Sequence, residues 1–232
     1  MYYNSNFSII DKNNLKFVKL NNNKIKRITT RVRMLKKISN LNLDIKLLDE
    51  EYVNNCTYFN SGKKEFNWFL NDEALNDMKS GDGVTYVVTD ILNGKETVIA
   101  YFQLSAFALH FKDNLDFEDD KIPKDKKKTR YIPINSFIID MLAVDKNYQN
   151  SVWNGWIVSD VILNYILLFI ENMSKTTIGG KIILLCSVKD AIRFYKRNGF
   201  KPLNEYMTLF DKYIDGEEPM YYSIYDIPLL EY

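Results

Sequence analysis

The feature that most constrains the fold is an apolar run followed at once by a short amphipathic helix and a glycine. Residues 182–186 are all apolar, as in a strand that is buried on both faces of a sheet. Ser187 is suited to cap the next element, one face of which carries Ala191, Ile192 and Tyr195. Gly199 ends this helix, and Phe200 follows it directly. A strand, a helix and a glycine stop in close succession favour an α/β fold.

The rest of the chain also alternates between strand and helix patterns. A hairpin is predicted over 84–104, because two β-rich runs flank Asn93 and Gly94, the preferred residues of a two-residue turn. Helical spacing of apolar residues predicts helices over 64–78 and 154–173. Further strands are predicted over 43–47, 137–144, 203–210 and 220–225. This order predicts a mixed sheet with helices on both of its faces.

Charge is distributed unevenly along the chain. Residues 1–40 contain ten Lys or Arg and one acidic residue, which leaves 21 basic and 29 acidic side chains in residues 41–232. We therefore predict a basic N-terminal extension over 1–40 and one domain over 41–232. A second basic stretch, 126–128, lies in a charged segment that is predicted to be a loop. Both stretches suit a phosphate backbone, but solvation or self-association is the reading we favour.

Several kinds of site are not predicted. The chain has two cysteines, Cys56 and Cys186, and one histidine, His110. This number is too small for a disulfide framework or a zinc cluster. We therefore predict no metal site and a structural role for the histidine. The longest apolar run, 161–170, is too short to span a bilayer, and the N-terminus is not of the signal-peptide type. These observations predict a cytoplasmic protein that has no membrane partner.

Three motifs resemble the GNAT acetyltransferase superfamily, and most closely its toxin-type members. The pattern Phe-Tyr-x-x-x-Gly-Phe over 194–200 is similar to the signature of the last GNAT helix. Residues 142–149 resemble the end of the fourth GNAT strand, and 59–62 with Trp68 resemble the opening of toxin-type domains, although Ser61 replaces their usual cysteine. The resemblance covers residues 45–226. It implies an α/β GNAT fold whose mixed central sheet is splayed at the fourth strand.

The resemblance also implies a set of catalytic groups and acetyl-CoA as the cosubstrate. Tyr195 is expected to protonate the departing thiolate of coenzyme A. The strand at Leu142, Ala143 and Val144 is expected to pair with the pantetheine, and one of its N–H groups to polarise the thioester carbonyl. Asp140, an acid inside an apolar strand, is either the base that accepts the amine proton or a solvent-facing residue at a bulge. Ser187 is expected to border the coenzyme.

The phosphate-binding loop departs from the family pattern. In GNAT proteins this loop reads Gln or Arg, two variable residues, Gly, one variable residue, then Gly or Ala. Here Gln149 is kept, but Val152 and Asn154 stand at the two glycine positions. Val152 is β-branched and does not readily adopt positive φ. The residues expected to bind the coenzyme are Gln149, Asn150, Ser151, Val152, Trp153, Asn154 and Gly155.

Two functions follow from these expectations. The first is direct transfer of an acetyl group from acetyl-CoA to an amine acceptor, for which toxin-type members imply aminoacyl-tRNA. An acidic turn is either solvated or attracts this cationic acceptor, and it contains Asp211, Asp215, Glu217 and Glu218. The alternative is a catalytically decayed GNAT-like binding module that binds nucleic acid through its basic arm. The resemblance further implies a homodimer.

Overall fold

The computed structural model describes residues 35–92, 94–113, 130–209 and 216–225. Residues 1–34 and the basic stretch 126–128 lie outside the described residues, so the predicted arm and the boundary at residue 40 stay predictions. Within the described ranges, no helix combines the length and apolarity that a membrane span needs. Strand β1, Lys36–Lys37, pairs in parallel with Ser151 and Val152.

A mixed eight-stranded sheet organises the described chain. Its strands are β2 (Asp44–Leu47), β3 (Val84–Leu92), β4 (Lys95–Asp113), β5 (Arg130–Val144), β8 (Ile182–Ser187), β9 (Lys201–Pro202), β10 (Met207–Thr208) and β11 (Glu218–Ser223). They follow one another across the sheet in the order β2-β3-β4-β5-β8-β11-β9, and β10 pairs with β4. A second, three-stranded sheet contains β1, β6 (Ser151–Trp153) and β7 (Trp156–Ile157).

The helices have the following bounds. They are α1 (Glu50–Asn55), α2 (Lys64–Trp68), α3 (Ala74–Ser80), α4 (Lys146–Gln149), α5 (Val158–Thr176) and α6 (Ile192–Arg197). Short 3₁₀ turns cover Cys56–Tyr58 and Lys189–Ala191, and a π-helical turn, Phe69–Glu73, joins α2 to α3. The Tyr101 hydroxyl donates to the Phe66 carbonyl oxygen at 2.7 Å, and this added bond accompanies the widened turn.

The central sheet is covered on both faces, as predicted. Successive strand residues point to opposite faces, so Val87 and Val88 belong to different apolar clusters. One cluster includes Ile162 and Ile166 of α5, and the other includes Phe69 and Ala74 of the α2–α3 region. The predicted hairpin is confirmed, since β3 and β4 pair antiparallel through a turn at Gly94, where φ is 76°.

The predicted splay is also confirmed. Parallel pairing between β5 and β8 covers only Ser136–Ile138 with Ile182–Leu184, although β5 continues to Val144 and β8 to Ser187. The two strands therefore separate toward their C-terminal ends. We call the gap between residues 139–144 and 185–187 the cleft. Its position between neighbouring parallel strands exposes backbone groups that an unbroken sheet would pair.

Some elements differ from the sequence predictions. The long helix begins at Val158 rather than Asn154, because residues 151–157 form the β6–β7 hairpin. Asn154 and Gly155 make its turn with φ of 48° and 85°. The strand predicted over 203–210 is reduced to the two residues of β10, and β1 and α1 had no prediction. These short elements lack the length over which hydrophobic periodicity can be read.

Candidate active site

The cleft exposes two backbone amides of β5. The Asp145 N–H donates to the Ile99 carbonyl oxygen of β4 at 2.8 Å. Because N–H groups alternate between the two edges of a strand, the N–H of Ala143 points to β4, and those of Leu142 and Val144 point into the cleft. β8 offers these two amides no ladder partner, since its pairing with β5 ends at Ile138. This is the arrangement expected for an oxyanion-binding strand.

Tyr195 lies on the α5 side of the sheet, on helix α6. Its ring packs against Phe194 and Phe200, with ring centroids 5.1 and 5.5 Å away. It shares an apolar cluster with Val144, and Leu142 packs against the same cluster. Among the described residues, the structure gives its hydroxyl no hydrogen bond. Tyr195 and the strand that carries the two cleft-facing amides therefore belong to one apolar cluster.

A cavity of about 570 Å³ lies beside the end of β8. One wall comes from the start of α2 and includes Lys63, Lys64 and Phe66, and the other comes from Val188 and Glu217. Gly62 and Glu65 complete its lining. We call it the acceptor cavity. It carries charges of both signs, which suits a substrate that is itself cationic at one end and anionic at another.

Glu217 is the carboxylate on the β11 side of the acceptor cavity. Burial raises its pKa above the ordinary value of a glutamate. Burial also raises the pKa of Tyr195, and the negative charge of Glu217 raises it further. Glu217 is therefore within electrostatic reach of Tyr195, and the tyrosine stays protonated at neutral pH. Of the acidic turn in the sequence, Asp211 and Asp215 lie outside the described residues.

Asp140 lies at a bulge, as one of the two readings of the sequence expected. Gln103 pairs with Met141 and Leu104 with Ile139, so Asp140 is the extra residue of β5. The Ser105 hydroxyl donates to its carboxylate. This bond ties Asp140 to β4. A role of Asp140 as the base that accepts the amine proton stays a prediction.

Gln149 and Asp145 join the end of β5 to the segment that precedes α2. The Asp145 carboxylate accepts from the Asn60 N–H at 2.9 Å, and the Lys146 N–H donates to the Asn60 carbonyl at 2.8 Å. Gln149 Nε2 donates to the carbonyl oxygens of Val144 and Ser61, at 2.7 and 2.8 Å. These bonds position one wall of the acceptor cavity against the strand that borders the cleft.

The predicted phosphate-binding loop is a hairpin rather than a loop. β6 lies between β1 and β7, so its backbone groups are paired on both edges. The Ile38 N–H donates to the Val152 carbonyl at 2.9 Å, and Val152 is 3% exposed. Ser151 is also buried, Trp153 packs on the core, and Asn150 is exposed. Coenzyme binding by these residues stays a prediction.

The first turn of α5 offers backbone amides that follow this hairpin. No side chain caps the helix at Ile157. Asp160 in its first turn accepts two hydrogen bonds at 3.0 Å from Arg197 Nε and one at 2.7 Å from Nη2. Arg197 thus compensates the negative charge of Asp160, which would otherwise disfavour an anion at the helix N-terminus.

Ser187 does not cap the helix that follows it, which corrects the sequence prediction. Its hydroxyl donates to the Val188 carbonyl oxygen at 3.0 Å instead of accepting a backbone N–H. The reason is the 3₁₀ turn at Lys189–Ala191, which shifts the start of the helical segment and leaves Val188 at the capping position. Ser187 is buried at the end of β8 and faces Glu218 in the ladder with β11.

Sequence reasoning missed Lys63 and Lys64 as cavity residues. They form part of an ordinary Lys-Lys-Glu sequence before an apolar helical pattern, which is the signal of a solvated helix start. Only the fold brings them opposite Val188. Within the described ranges, no group of three or more His, Cys, Asp or Glu is placed to hold a metal ion, and neither cysteine forms a disulfide.

Comparison with solved structures shows a likeness of fold. A tyrosine-to-phenylalanine mutant of KacT matches with a TM-score of 0.55 and 18% identity, over 78% of this chain and 95% of that chain. AtaTR bound with AcCoA matches with a TM-score of 0.54 and 21% identity, over 78% and 94%. AtaT complexed with acetyl-methionyl-tRNAfMet matches with a TM-score of 0.53 and 19% identity, over 78% and 95%. No protein-family model and no curated protein matches the chain.

Proposed function

We propose that this chain, whose fold is that of the toxin-type GNAT proteins, is an acetyl-CoA-dependent N-acetyltransferase that transfers the acetyl group directly to an amine. The observation that carries the proposal is the pair of amides, Leu142 and Val144, that point into the cleft. Unpaired strand amides beside a buried tyrosine suit an extended acyl-pantetheine, which supplies carbonyl acceptors along its length. The related fold of AtaTR with acetyl-CoA bound supports the same cosubstrate.

The chemistry needs three contributions from the chain. The acceptor amine attacks the thioester carbonyl, and a β5 amide, Leu142 or Val144, stabilises the negative charge that develops on its oxygen. Tyr195 then donates its hydroxyl proton to the sulfur as the carbon–sulfur bond breaks. Burial favours this role, because a phenol that stays protonated at neutral pH is available as an acid.

The diphosphate of the coenzyme is assigned to the first turn of α5. A helix of 19 residues with no side-chain cap presents backbone N–H groups to an anion. The β6–β7 hairpin before α5 stands where GNAT proteins have a glycine-containing loop. Residues 149–155 would then contact the coenzyme through their side chains and through the backbone of the hairpin turn. The competing reading is a non-catalytic module, and it is favoured by the pairing of β6 on both edges.

The acceptor is assigned to the α-amino group of aminoacyl-tRNA. Lys63 and Lys64 in the acceptor cavity can contact a phosphate, and Glu217 can contact an ammonium group. AtaT complexed with acetyl-methionyl-tRNAfMet has a related fold. A homodimer, which the resemblance to GNAT proteins implies, and a cytoplasmic setting complete the proposal.

Two measurements test the proposed function. Acetyl-CoA added to the full chain should raise its melting temperature, because a ligand that binds only the native state stabilises it. Incubation with radiolabelled acetyl-CoA and a pool of aminoacyl-tRNA should then place the label on the amino acid, as measured by mass spectrometry after hydrolysis. A melting temperature that millimolar acetyl-CoA leaves unchanged would favour the binding module instead.

A further inference from the structure

The acceptor cavity contains a carboxylate, Glu217, on its β11 side. Glu217 and Val188 form the wall that adjoins β8 and β11, and the start of α2 forms the opposite wall. Glu217 is partly buried rather than fully solvated. A carboxylate in this position meets whatever amine enters the cavity. We propose that Glu217 accepts the proton of the acceptor's ammonium group and so produces the neutral amine that attacks the thioester.

The position of Glu217 relative to Tyr195 supports this role. Val188 of the cavity wall directly follows β8, whose end borders the cleft, and Gln149 ties the segment before α2 to the Val144 carbonyl oxygen. The negative charge of Glu217 also raises the pKa of Tyr195. Tyr195 is suited to give a proton to the leaving sulfur, and Glu217 to remove one from the entering nitrogen. Separate environments for an acid and a base are a general arrangement of such centres.

The proton balance of the step is complete without another reactant. Glu217 takes the first proton from the ammonium group and releases it to solvent. The nitrogen then forms its bond to the acetyl carbon as the carbon–sulfur bond breaks. The proton of the Tyr195 hydroxyl goes to the sulfur, and the second proton from nitrogen restores that hydroxyl. The products are the amide, coenzyme A and one proton.

The acidity of Glu217 also indicates the class of amine. Burial raises its pKa, which makes the carboxylate a better base than an exposed glutamate. An α-amino group has a pKa of about 7.7–8.0 and a lysine side chain one of about 10.4. The α-amine is therefore the acceptor whose ammonium form a glutamate can deprotonate at lower cost. This inference rests on the proposed function and agrees with the α-amine that was assigned there as the acceptor.

The other charged groups in or near the cavity are less suited to act as the base. Glu65 also lines the cavity, but it is exposed at the start of α2. Asp140 is bonded by Ser105 at the β5 bulge. Lys63 and Lys64 are positively charged and cannot accept a proton from an ammonium group. Glu217 is thus the partly buried carboxylate of the cavity lining.

The test compares Glu217 with its neighbour in the chain. Radiolabelled acetyl transfer to a pool of aminoacyl-tRNA is measured for the wild type, Glu217→Gln and Glu218→Gln. Glu218 is the matched control, because adjacent residues of an extended chain point to opposite sides. We expect Glu217→Gln to lower kcat about a hundredfold with the acetyl-CoA Kd unchanged, and Glu218→Gln to lower it less than about threefold.

Chemical rescue separates proton transfer from a structural role. The cavity is large enough for formate, so added formate should restore a part of the turnover of Glu217→Ala and none for Glu218→Ala. Equal turnover of Glu217→Gln and the wild type, or a loss that formate does not restore, would overturn the role of Glu217 and leave the proposed function standing. A wild-type chain that acetylates no aminoacyl-tRNA would instead overturn both.

Discussion

Gln149 Nε2 donates to the carbonyl oxygen of Val144 at 2.7 Å, and this bond connects α4 to the last residue of β5. The same amide reaches the Ser61 carbonyl at 2.8 Å. In a β-strand, the N–H and C=O of one residue point to the same edge. The bond therefore lies at the edge of β5 that faces the cleft, beside the amide assigned to the oxyanion.

Replacing Gln149 should destabilise the fold. Gln149→Ala removes donors from two carbonyl oxygens in a partly buried position, so we expect the free energy of unfolding to fall by about 1–3 kcal/mol. Urea unfolding measures the change. The control is Asn150→Ala, because Asn150 is the next residue and its side chain is exposed. Equal stability of the two variants would show that the Gln149 bonds contribute nothing.

Removing the Tyr195 hydroxyl should affect the reaction more than the fold. We expect Tyr195→Phe to lower kcat at least about tenfold, because the departing thiolate loses its proton donor. Its melting temperature should stay near that of the wild type, since among the described residues the hydroxyl has no bond to lose. Tyr86→Phe is the control, a partly buried tyrosine stacked on Phe102 with ring centroids 5.3 Å apart. Unchanged turnover of Tyr195→Phe would remove this residue from the mechanism.

The Arg197–Asp160 pair should affect coenzyme binding through charge. Arg197→Gln leaves Asp160 uncompensated at the N-terminus of α5, where a negative charge repels the diphosphate. We expect the acetyl-CoA Kd to rise about fivefold, for a repulsion of about 1 kcal/mol between partly solvated charges. Adding Asp160→Asn should reverse the loss in calorimetric titrations. A double variant that binds as weakly as Arg197→Gln would place the diphosphate elsewhere.

Gly180 should resist substitution for a packing reason. A Cβ atom there would lie 2.8 Å from Phe137 Cδ2, in the core where β5 and β8 still pair. We expect Gly180→Ala to destabilise the fold by about 1–3 kcal/mol through overpacking. Gly179→Ala is the matched control, because nothing lies within 4 Å of its added Cβ. Similar urea midpoints for the two variants would contradict the packing argument.

The candidate site was only partly predictable. Strand β5 contains an apolar run and α6 contains periodic apolar residues before a glycine stop, so the sequence alone indicates that Val144 lies on a strand and Tyr195 on a short helix. Residues 149–155 were expected to form a loop because they resemble the phosphate-binding loop of GNAT proteins, although Val152 and Asn154 stand at its two glycine positions. It forms a hairpin because β1, more than 100 positions earlier in the chain, supplies a strand partner. Glu217 could be placed near an acceptor, but its closeness to Tyr195 could not be read from spacing.

The amino-acid sequence by itself determined the order of the long strands and helices, the two faces of the sheet and the helix that carries Tyr195. It could do so because periodicity and glycine stops act between residues that are close along the chain. Only the tertiary structure decided where β5 and β8 separate, which amides stay unpaired and which side chains face the acceptor cavity. Those features depend on contacts between residues far apart in the chain, and no local pattern records such contacts.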